Sequence, residues 1–184
     1  MLQPFAAYLA SRPRILVKAR ALIRDADGRV LLVRVRPADG SADAAAPWVL
    51  PGGTLEPDRE HPRQAAVREL AEELGWSRRP GRLLAVDWST RSGPEHHLIH
   101  VYDGGLADAG DLAGIRLQED ELTEWRLVTA AEAEELLRPQ SAARLAAARS
   151  VALSAAGGRA VELLDGRPVG PVGPDGPAGP VGKS

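Results

Sequence analysis

Residues 52–76 read GGTLEPDREHPRQAAVRELAEELGW, and this stretch determines both the expected fold and the expected chemistry. Its second half has the spacing of an amphipathic helix. On a helix that advances roughly 100° per residue, Glu69, Glu72 and Glu73 fall within one narrow sector. The opposite side is apolar, and we expect it to be the buried face, formed by Val67, Leu70, Ala71 and Leu74.

Three carboxylates on one helix face repel one another. Glu69 and Glu73 form a like-charge pair four residues apart, which costs roughly 0.2–0.5 kcal/mol in a helix. Arg68, four residues before Glu72, is the local counter-charge. A divalent cation that prefers oxygen ligands would turn this repulsion into a binding site. A solvated acidic surface is the alternative explanation, and the helix alone does not decide between the two.

The residues before the helix favour the metal site. Residues 48–50 read as a short strand, and Gly52 and Gly53 then allow a tight turn and a close approach of the backbone to a ligand. Glu60 adds an acid to this loop, and Pro62 suits the first turn of the helix. Backbone N–H groups in such a loop, together with cations over the helix, are complementary to a diphosphate.

This pattern resembles the signature of the Nudix hydrolases, which is glycine, five residues, glutamate, seven residues, then Arg-Glu-apolar-x-Glu-Glu-x-Gly-apolar. Glu60 and residues 68–76 match the second part at every position. Gly53 and Glu60 are separated by six residues instead of five, so the signature at residues 53–76 carries a one-residue expansion. We expect the extra residue to bulge outward and leave Glu60 beside the helix acids, because lengthening a surface loop costs little closure entropy.

The resemblance implies a role for each residue that matches the signature. Glu69, Glu72 and Glu73 would be the metal ligands, and Arg68 would orient these acids through salt bridges. Glu60 would assist the site more peripherally. The implied cofactor is Mg²⁺, with Mn²⁺ as an alternative, because both accept carboxylate and phosphate oxygens.

Two further groups complete the predicted site. Gly52 and Gly53 are expected to bind substrate through the loop backbone. A further acid from a distal loop often supplies a ligand or the general base in this family. Glu119 and Glu121 are the candidates, and Glu119 is included in the predicted catalytic set.

Composition excludes several classes of function. The chain has 184 residues, a formal net charge of −2 and no cysteine. It therefore has no disulfide, thiolate metal site or cysteine nucleophile, and no general attraction to nucleic acid or anionic membranes. The start of the chain lacks signal-peptide features, and no apolar run reaches membrane-spanning length. We expect a cytoplasmic protein whose partner is a small nucleoside diphosphate-type molecule, with a homodimer left open.

The order of strand and helix patterns predicts an α/β/α sandwich around a mixed β-sheet, which the Nudix resemblance also implies. Residues 1–14 are assigned to an N-terminal extension and 15–138 to the Nudix domain. Residues 139–165 are assigned to a helical extension. Residues 166–184 carry glycine at every third position from Gly170 to Gly182, and are expected to form a disordered Gly/Pro-rich tail.

The predicted strands cover residues 15–23, 30–35, 48–50, 82–90, 97–102, 115–117, 125–128 and 159–164. The segments 37–47 and 103–114 are expected to be loops. Two helices are expected after the strands, over residues 129–137 and 141–157.

Three functions from different classes fit the pattern. The first is a metal-dependent hydrolase that cleaves the diphosphate linkage of a nucleoside diphosphate derivative by attack of water on phosphorus. The second is a ligand-binding or regulatory module of the same fold with weak or no turnover. The third is an isomerase, but the isopentenyl diphosphate isomerases of this fold rely on a cysteine that the chain lacks. The hydrolase is favoured, with a nucleoside triphosphate, an oxidised nucleotide or a nucleotide sugar as substrate.

Overall fold

The structure is a computed structural model that describes residues 5–10, 12, 14–37, 47–56, 59–90, 95–154 and 157–170. Pro57 and Asp58 of the expanded loop, and residues 171–184 of the predicted tail, lie outside the described residues. The helices and strands are α1 (Phe5–Ala10), β1 (Ile15–Arg24), β2 (Val30–Val35), β3 (Trp48–Val49), β4 (Gly52–Thr54), α2 (Pro62–Leu74), β5 (Leu83–Ser89), β6 (His96–Leu106), α3 (Ala109–Ala113), β7 (Leu122–Val128), α4 (Ala130–Leu136), α5 (Pro139–Leu153), β8 (Val161–Leu164) and β9 (Arg167–Pro168).

The strands of the described residues form one mixed sheet in the order β3-β2-β1-β6-β5-β8-β9, with β4 paired to β1 and β7 paired to β2. β1 and β6 run parallel, as do β5 and β8, and the other pairs are antiparallel. α2 covers one face of this sheet, and α4 and α5 cover the other. The predicted α/β/α sandwich around a mixed sheet is confirmed. None of the described helices is long and apolar enough to cross a bilayer.

The alternation of side chains along β1 separates two hydrophobic cores. Ala21 and Ile23 point toward α2, where they join Leu70 and Leu74 in one buried cluster. Leu22 points to the opposite face and packs in a second cluster with apolar residues of α5. β1 therefore packs against the signature helix α2 on one face and against α5 on the other.

The loop before α2 differs from the prediction. Gly52 and Gly53 were expected to form a turn, but they form the short strand β4, whose partner residues on β1 run from Lys18 to Arg20. Gly52 has a φ of 123°, and a Cβ at this position would collide with the carbonyl oxygen of Ala19. Glycine lets the backbone lie against β1 here, and this contact sets the position of the loop beside α2.

Two predictions in the second half of the domain are wrong. Residues 109–113 form the helix α3 within the predicted loop 103–114, because Asp108 and Asp111 make a reciprocal capping box. Residues 115–117 do not form a strand. Ile115 and Leu117 instead pack as partly buried side chains against the cluster below α2.

Residues 161–168 contain the last two strands that the structure describes. β8 and β9 form a hairpin around Asp165 and Gly166, which both have positive φ, as the type I′ two-residue turn requires. β8 extends the sheet by pairing with β5. The predicted tail of residues 166–184 therefore begins inside this hairpin, and described structure continues to Gly170.

A buried charge pair fixes α5 to the sheet. The carboxylate of Asp87, on β5, has no solvent exposure and accepts a hydrogen bond from Arg144 Nε at 2.6 Å. Its second oxygen accepts one from the backbone N–H of Gly166 at 3.0 Å. One carboxylate thus joins β5, α5 and the terminal hairpin.

We expect Asp87→Asn to lower the free energy of unfolding by about 3 kcal/mol, because it leaves the Arg144 charge buried without its partner. Urea denaturation of both proteins measures the difference. Glu124→Gln is the matched control, since the Glu124–Arg126 pair is partly exposed and should contribute under about 1 kcal/mol. Equal losses in the two variants would contradict a structural role for the buried pair.

Candidate active site

The signature helix α2 begins and ends where its sequence predicts. Pro62 stands in its first turn, and the backbone N–H of the N-cap residue His61 donates a hydrogen bond to Gln64 Oε1 at 3.0 Å. Gly75 ends the helix in the left-handed conformation at φ 71°, and its N–H donates to the carbonyl oxygen of Ala71. Local sequence therefore fixes both ends of the helix, independently of the packing that orients it.

The orientation of α2 differs from the prediction. Glu69 and Glu73 are buried, with 7% and 4% of their surface exposed, whereas Ala71 is exposed. Of the three acids, Glu72 alone faces solvent. The prediction that the acids lie opposite the buried face is thus wrong for two of them. The reason is that β4 packs beside β1 at this side of α2, so the helix meets backbone there instead of solvent.

Glu73 is held by the backbone of β4. Its Oε2 accepts a hydrogen bond from the N–H of Gly52 at 2.6 Å. Burial raises the pKa of Glu73 to about 7, although the charge of Arg20 and the bond from Gly52 act to lower it. The N–H of Gly52, expected to bind substrate, is therefore already bonded to a carboxylate of the site.

Glu69 lies against the neighbouring glycine. A Cβ on Gly53 would collide with the Glu69 carboxylate, so this position accommodates only glycine without displacing the acid. Burial raises the pKa of Glu69, and the charges of Arg68 and Arg20 oppose that increase. The Gly52–Gly53 strand thus shapes the site by seating two carboxylates.

Arg20 is a residue of the site that the sequence analysis missed. It lies on β1, and its guanidinium donates to the carbonyl oxygens of Leu50, at 3.0 Å, and Gly52. Burial lowers the pKa of Arg20, whereas the charges of Glu73 and Glu69 raise it. In the sequence, Arg20 is one polar position of an alternating strand. The alternation gave no sign that it is the counter-charge of the buried acids.

Arg68 joins four groups, as the resemblance to the signature implied for an orienting residue. Its guanidinium lies 2.8 Å from Glu60 Oε1, 3.0 Å from Glu69 Oε1 and 2.7 Å from Glu72 Oε2, and it also donates to the carbonyl oxygen of Thr54. These contacts raise the pKa of Arg68, and its hydrogen bonds lower the pKa of Glu60. The Glu60 carboxylate thus faces Arg68, beside the acids of the helix.

An open cavity of about 550 Å³ lies between α2, β4 and the turn before β7, and Glu60, Arg68 and Glu72 are not among the described residues that line it. Its charged lining residues include Arg20, Glu69, Glu73 and Glu121. Glu119 does not line the cavity: its side chain is exposed, and its backbone carbonyl accepts a hydrogen bond from Arg36 Nε at 2.7 Å. Of the two candidate acids of the distal loop, the structure places Glu121 at the site.

The donor chemistry of this cavity fits a hard divalent cation. Its acids offer carboxylate oxygens, which Mg²⁺ and Mn²⁺ prefer, and burial raises the pKa of Glu69 and Glu73, so a bound cation would favour their charged forms. Within the described residues, no three acids or histidines converge closely enough to surround one ion. Coordination by three of these acids would therefore need side-chain movement, starting with the Arg68 contacts of Glu69 and Glu72.

Comparison with known proteins identifies one protein family over most of the chain. A model of the NUDIX domain family matches residues 15–148. A CTP pyrophosphohydrolase of Escherichia coli is 42% identical over 93 residues, which are 50% of this chain and 64% of that protein. A human diphosphoinositol polyphosphate phosphohydrolase, 3-alpha, is 47% identical over 55 residues, 30% of this chain and 32% of that protein.

The fold has solved relatives as well. The crystal structure of a MutT protein from Methanosarcina mazei superposes with a TM-score of 0.63 at 25% identity, covering 78% of this chain and 99% of that one. The curated relatives above are matched over less than two thirds of their own length. Because the family model spans well over half of the sequence, and the signature helix is seated on β4 as described, this chain belongs to the NUDIX domain family.

Proposed function

We propose that this protein is a divalent-metal-dependent hydrolase that cleaves the diphosphate linkage of a nucleoside diphosphate derivative. The observation that carries the proposal is the pair of buried carboxylates, Glu69 and Glu73, that borders an open cavity beside Arg20. Burial raises the pKa of both acids despite the positive charges nearby, and acids with a raised pKa at a cavity favour a functional role. Relatives with hydrolase names support the same reading.

The metal ligands in this proposal are Glu69, Glu72 and Glu73, with Mg²⁺ or Mn²⁺ as the cation. When bound, the ion neutralises phosphate charge and makes a bound water more acidic. Arg68 positions Glu60, Glu69 and Glu72 through its hydrogen bonds. The N–H of Gly52 fixes the orientation of Glu73, so its contribution to substrate binding is indirect.

Two other residues have proposed roles near the substrate. Arg20 lies at the cavity with a delocalised positive charge and can hold a phosphate oxygen when substrate enters. Glu121 borders the same cavity from the opposite side, and its negative charge acts on Glu73. Its exposed carboxylate can accept the proton of the attacking water, which makes Glu121 a better candidate for the general base than Glu119.

A nucleoside triphosphate, an oxidised nucleotide and a nucleotide sugar are the proposed substrate classes. The E. coli relative named a CTP pyrophosphohydrolase favours the triphosphate among them. The second candidate function is a binding module without turnover, which would bind these ligands and leave them intact. We place the protein in the cytoplasm, without nucleic acid or membrane partners.

The metal requirement is tested by replacing one buried acid. Glu69→Gln keeps the shape of the side chain and removes the charge of a proposed ligand, so we expect kcat to fall by about a hundredfold or more with little change in melting temperature. Assays on a panel of diphosphate compounds with Mg²⁺ or Mn²⁺ provide the measurement. The control is Glu135→Gln, because Glu135 is an exposed acid of α4 away from both glycines and cavity.

Two outcomes of that assay would reject the mechanism. Undiminished turnover of the unmodified protein in excess EDTA would remove the metal from the proposal. Full activity of Glu69→Gln would remove this carboxylate from the ligand set. Tight binding of a panel compound without turnover would favour the binding module.

The two glycines of β4 give a matched pair of alanine variants. Gly53→Ala forces the Glu69 carboxylate aside, so we expect a loss of activity of about tenfold or more and a small loss of stability. Gly52→Ala meets the backbone of Ala19 at a positive φ, so we expect a loss of roughly 1–3 kcal/mol in unfolding free energy. Activity assays and urea denaturation separate the two effects. A larger loss of activity in Gly52→Ala, together with a larger loss of stability in Gly53→Ala, would contradict the described seating of Glu69.

A further inference from the structure

A second cavity, of about 310 Å³, lies on the other face of the sheet, between β1, β3, β6 and the start of α5. It adjoins the candidate active site, because Arg20 and Val35 line both cavities. A substrate with its diphosphate at the acids of α2 can therefore extend its remaining part past Arg20 into this space.

The second cavity is positively charged. Its lining includes Lys18, Arg20, Arg138 and Arg144, and none of the described lining residues is an Asp or Glu. Two of these charges are balanced within the protein: Arg144 pairs with Asp87, and Arg20 lies beside buried acids of α2. Lys18 and Arg138 make no ion pair or side-chain hydrogen bond with the described part of the chain.

The position of Lys18 makes it the central unpaired cation. Lys18 and Arg20 are two residues apart on β1, so both point to the face that carries α5. Burial lowers the pKa of Lys18, and the positive charges of Arg20 and Arg144 lower it further. The negative charge of Glu95 raises this pKa, but by less than any of these lowers it. The surroundings of this ammonium group therefore disfavour its charge, and an anion in the cavity would stabilise it.

The rest of the cavity provides an apolar wall and neutral polar groups. Trp48, Ile99 and Leu137 supply the wall, and Gln140 and Ser141 supply hydrogen-bonding groups from the first turn of α5. Such a cavity accommodates the body of a ring-containing group and leaves its charged corner to Lys18 and Arg138.

We propose that Lys18 and Arg138 select substrates whose second moiety carries a phosphate monoester in addition to the scissile diphosphate. This inference rests on the proposed function, and it adds a further class of nucleoside diphosphate derivatives to the three proposed above. Arg20 separates the two charged regions: the diphosphate lies on its acidic side with the metal, and the additional phosphate lies on its basic side. The two unpaired cations supply charge-assisted hydrogen bonds to that phosphate.

Compounds that differ by one phosphate provide the test. NADPH and NADH form one such pair, and coenzyme A and dephospho-coenzyme A form another. We expect kcat/KM to favour the phosphorylated member of at least one pair by about tenfold or more, as a charge-assisted hydrogen bond predicts. Lys18→Met should bring the ratio of that pair close to one, and Lys18→Arg should largely retain it.

The control is Arg159→Met, which removes an exposed positive charge that lines neither cavity and should leave the ratio unchanged. Equal kcat/KM values within both pairs for the unmodified protein would overturn the proposal. A ratio that survives Lys18→Met would also overturn it, provided thermal denaturation shows that the variant is folded.

A second measurement does not depend on turnover. In EDTA, inorganic phosphate should raise the melting temperature of the unmodified protein and of Arg159→Met, and the shift should be lost in Lys18→Met. If neither test pair is hydrolysed, this phosphate effect alone decides the inference, and if no compound of the wider panel is hydrolysed, the proposed function fails as well. A shift that depends on Lys18 supports it, and a shift of equal size in all three proteins, or no shift, overturns it.

Discussion

The site depends on one constraint, the seating of two carboxylates of α2 against the backbone of β4. The bond from Gly52 to Glu73 and the missing side chain of Gly53 beside Glu69 allow the helix to approach the sheet edge with its acids inward. An acid taken out of water without a partner becomes protonated or requires a cation. Burial raises the pKa of Glu73 to about 7. The packing of α2 against β4 therefore determines how readily this acid gives up its proton.

Two arginines balance the charge of these carboxylates from different directions. Arg68 lies on the helix and holds three carboxylates from the solvent side. Arg20 lies on β1 and reaches the buried acids from the opposite face of the sheet, with its guanidinium fixed by the backbone carbonyls of Leu50 and Gly52. Arg20 also borders the second cavity. Its positive charge therefore balances the buried acids on one side and belongs to the basic region on the other side, where we place the rest of the substrate.

The sequence predicted the parts of this structure that local rules govern. The limits of α2 follow from Pro62 and Gly75, and the sandwich follows from the order of periodic segments. Glu60 was expected beside the helix acids, and it contacts Arg68 there, with the signature spacing between these two residues intact. Features of this kind are set by residues close together in the sequence and do not depend on how the rest of the chain packs.

The remaining features depend on long-range packing, which periodicity does not encode. The inward orientation of Glu69 and Glu73 needs β4 beside β1, and the role of Arg20 needs contacts more than thirty residues apart in sequence, such as the one to Gly52. The choice of Glu121 over Glu119 depends on the path of a turn, where neighbouring side chains point in different directions. The strand β8 lies within the predicted strand 159–164, but its pairing with β9 was missed because a Gly/Pro-rich composition hid an ordinary two-residue turn.

The central claim, that the inward acids of α2 form a metal platform, is tested most directly by diffraction from crystals grown with Mn²⁺ and a non-hydrolysable diphosphate. Anomalous scattering of manganese gives the position of the ion independently of any kinetic assay. Our account predicts an anomalous peak within coordination distance of Glu69 and Glu73, on the cavity side of Gly53. A fully occupied ion elsewhere, with Glu69 and Glu73 still bonded only to protein groups, would contradict it.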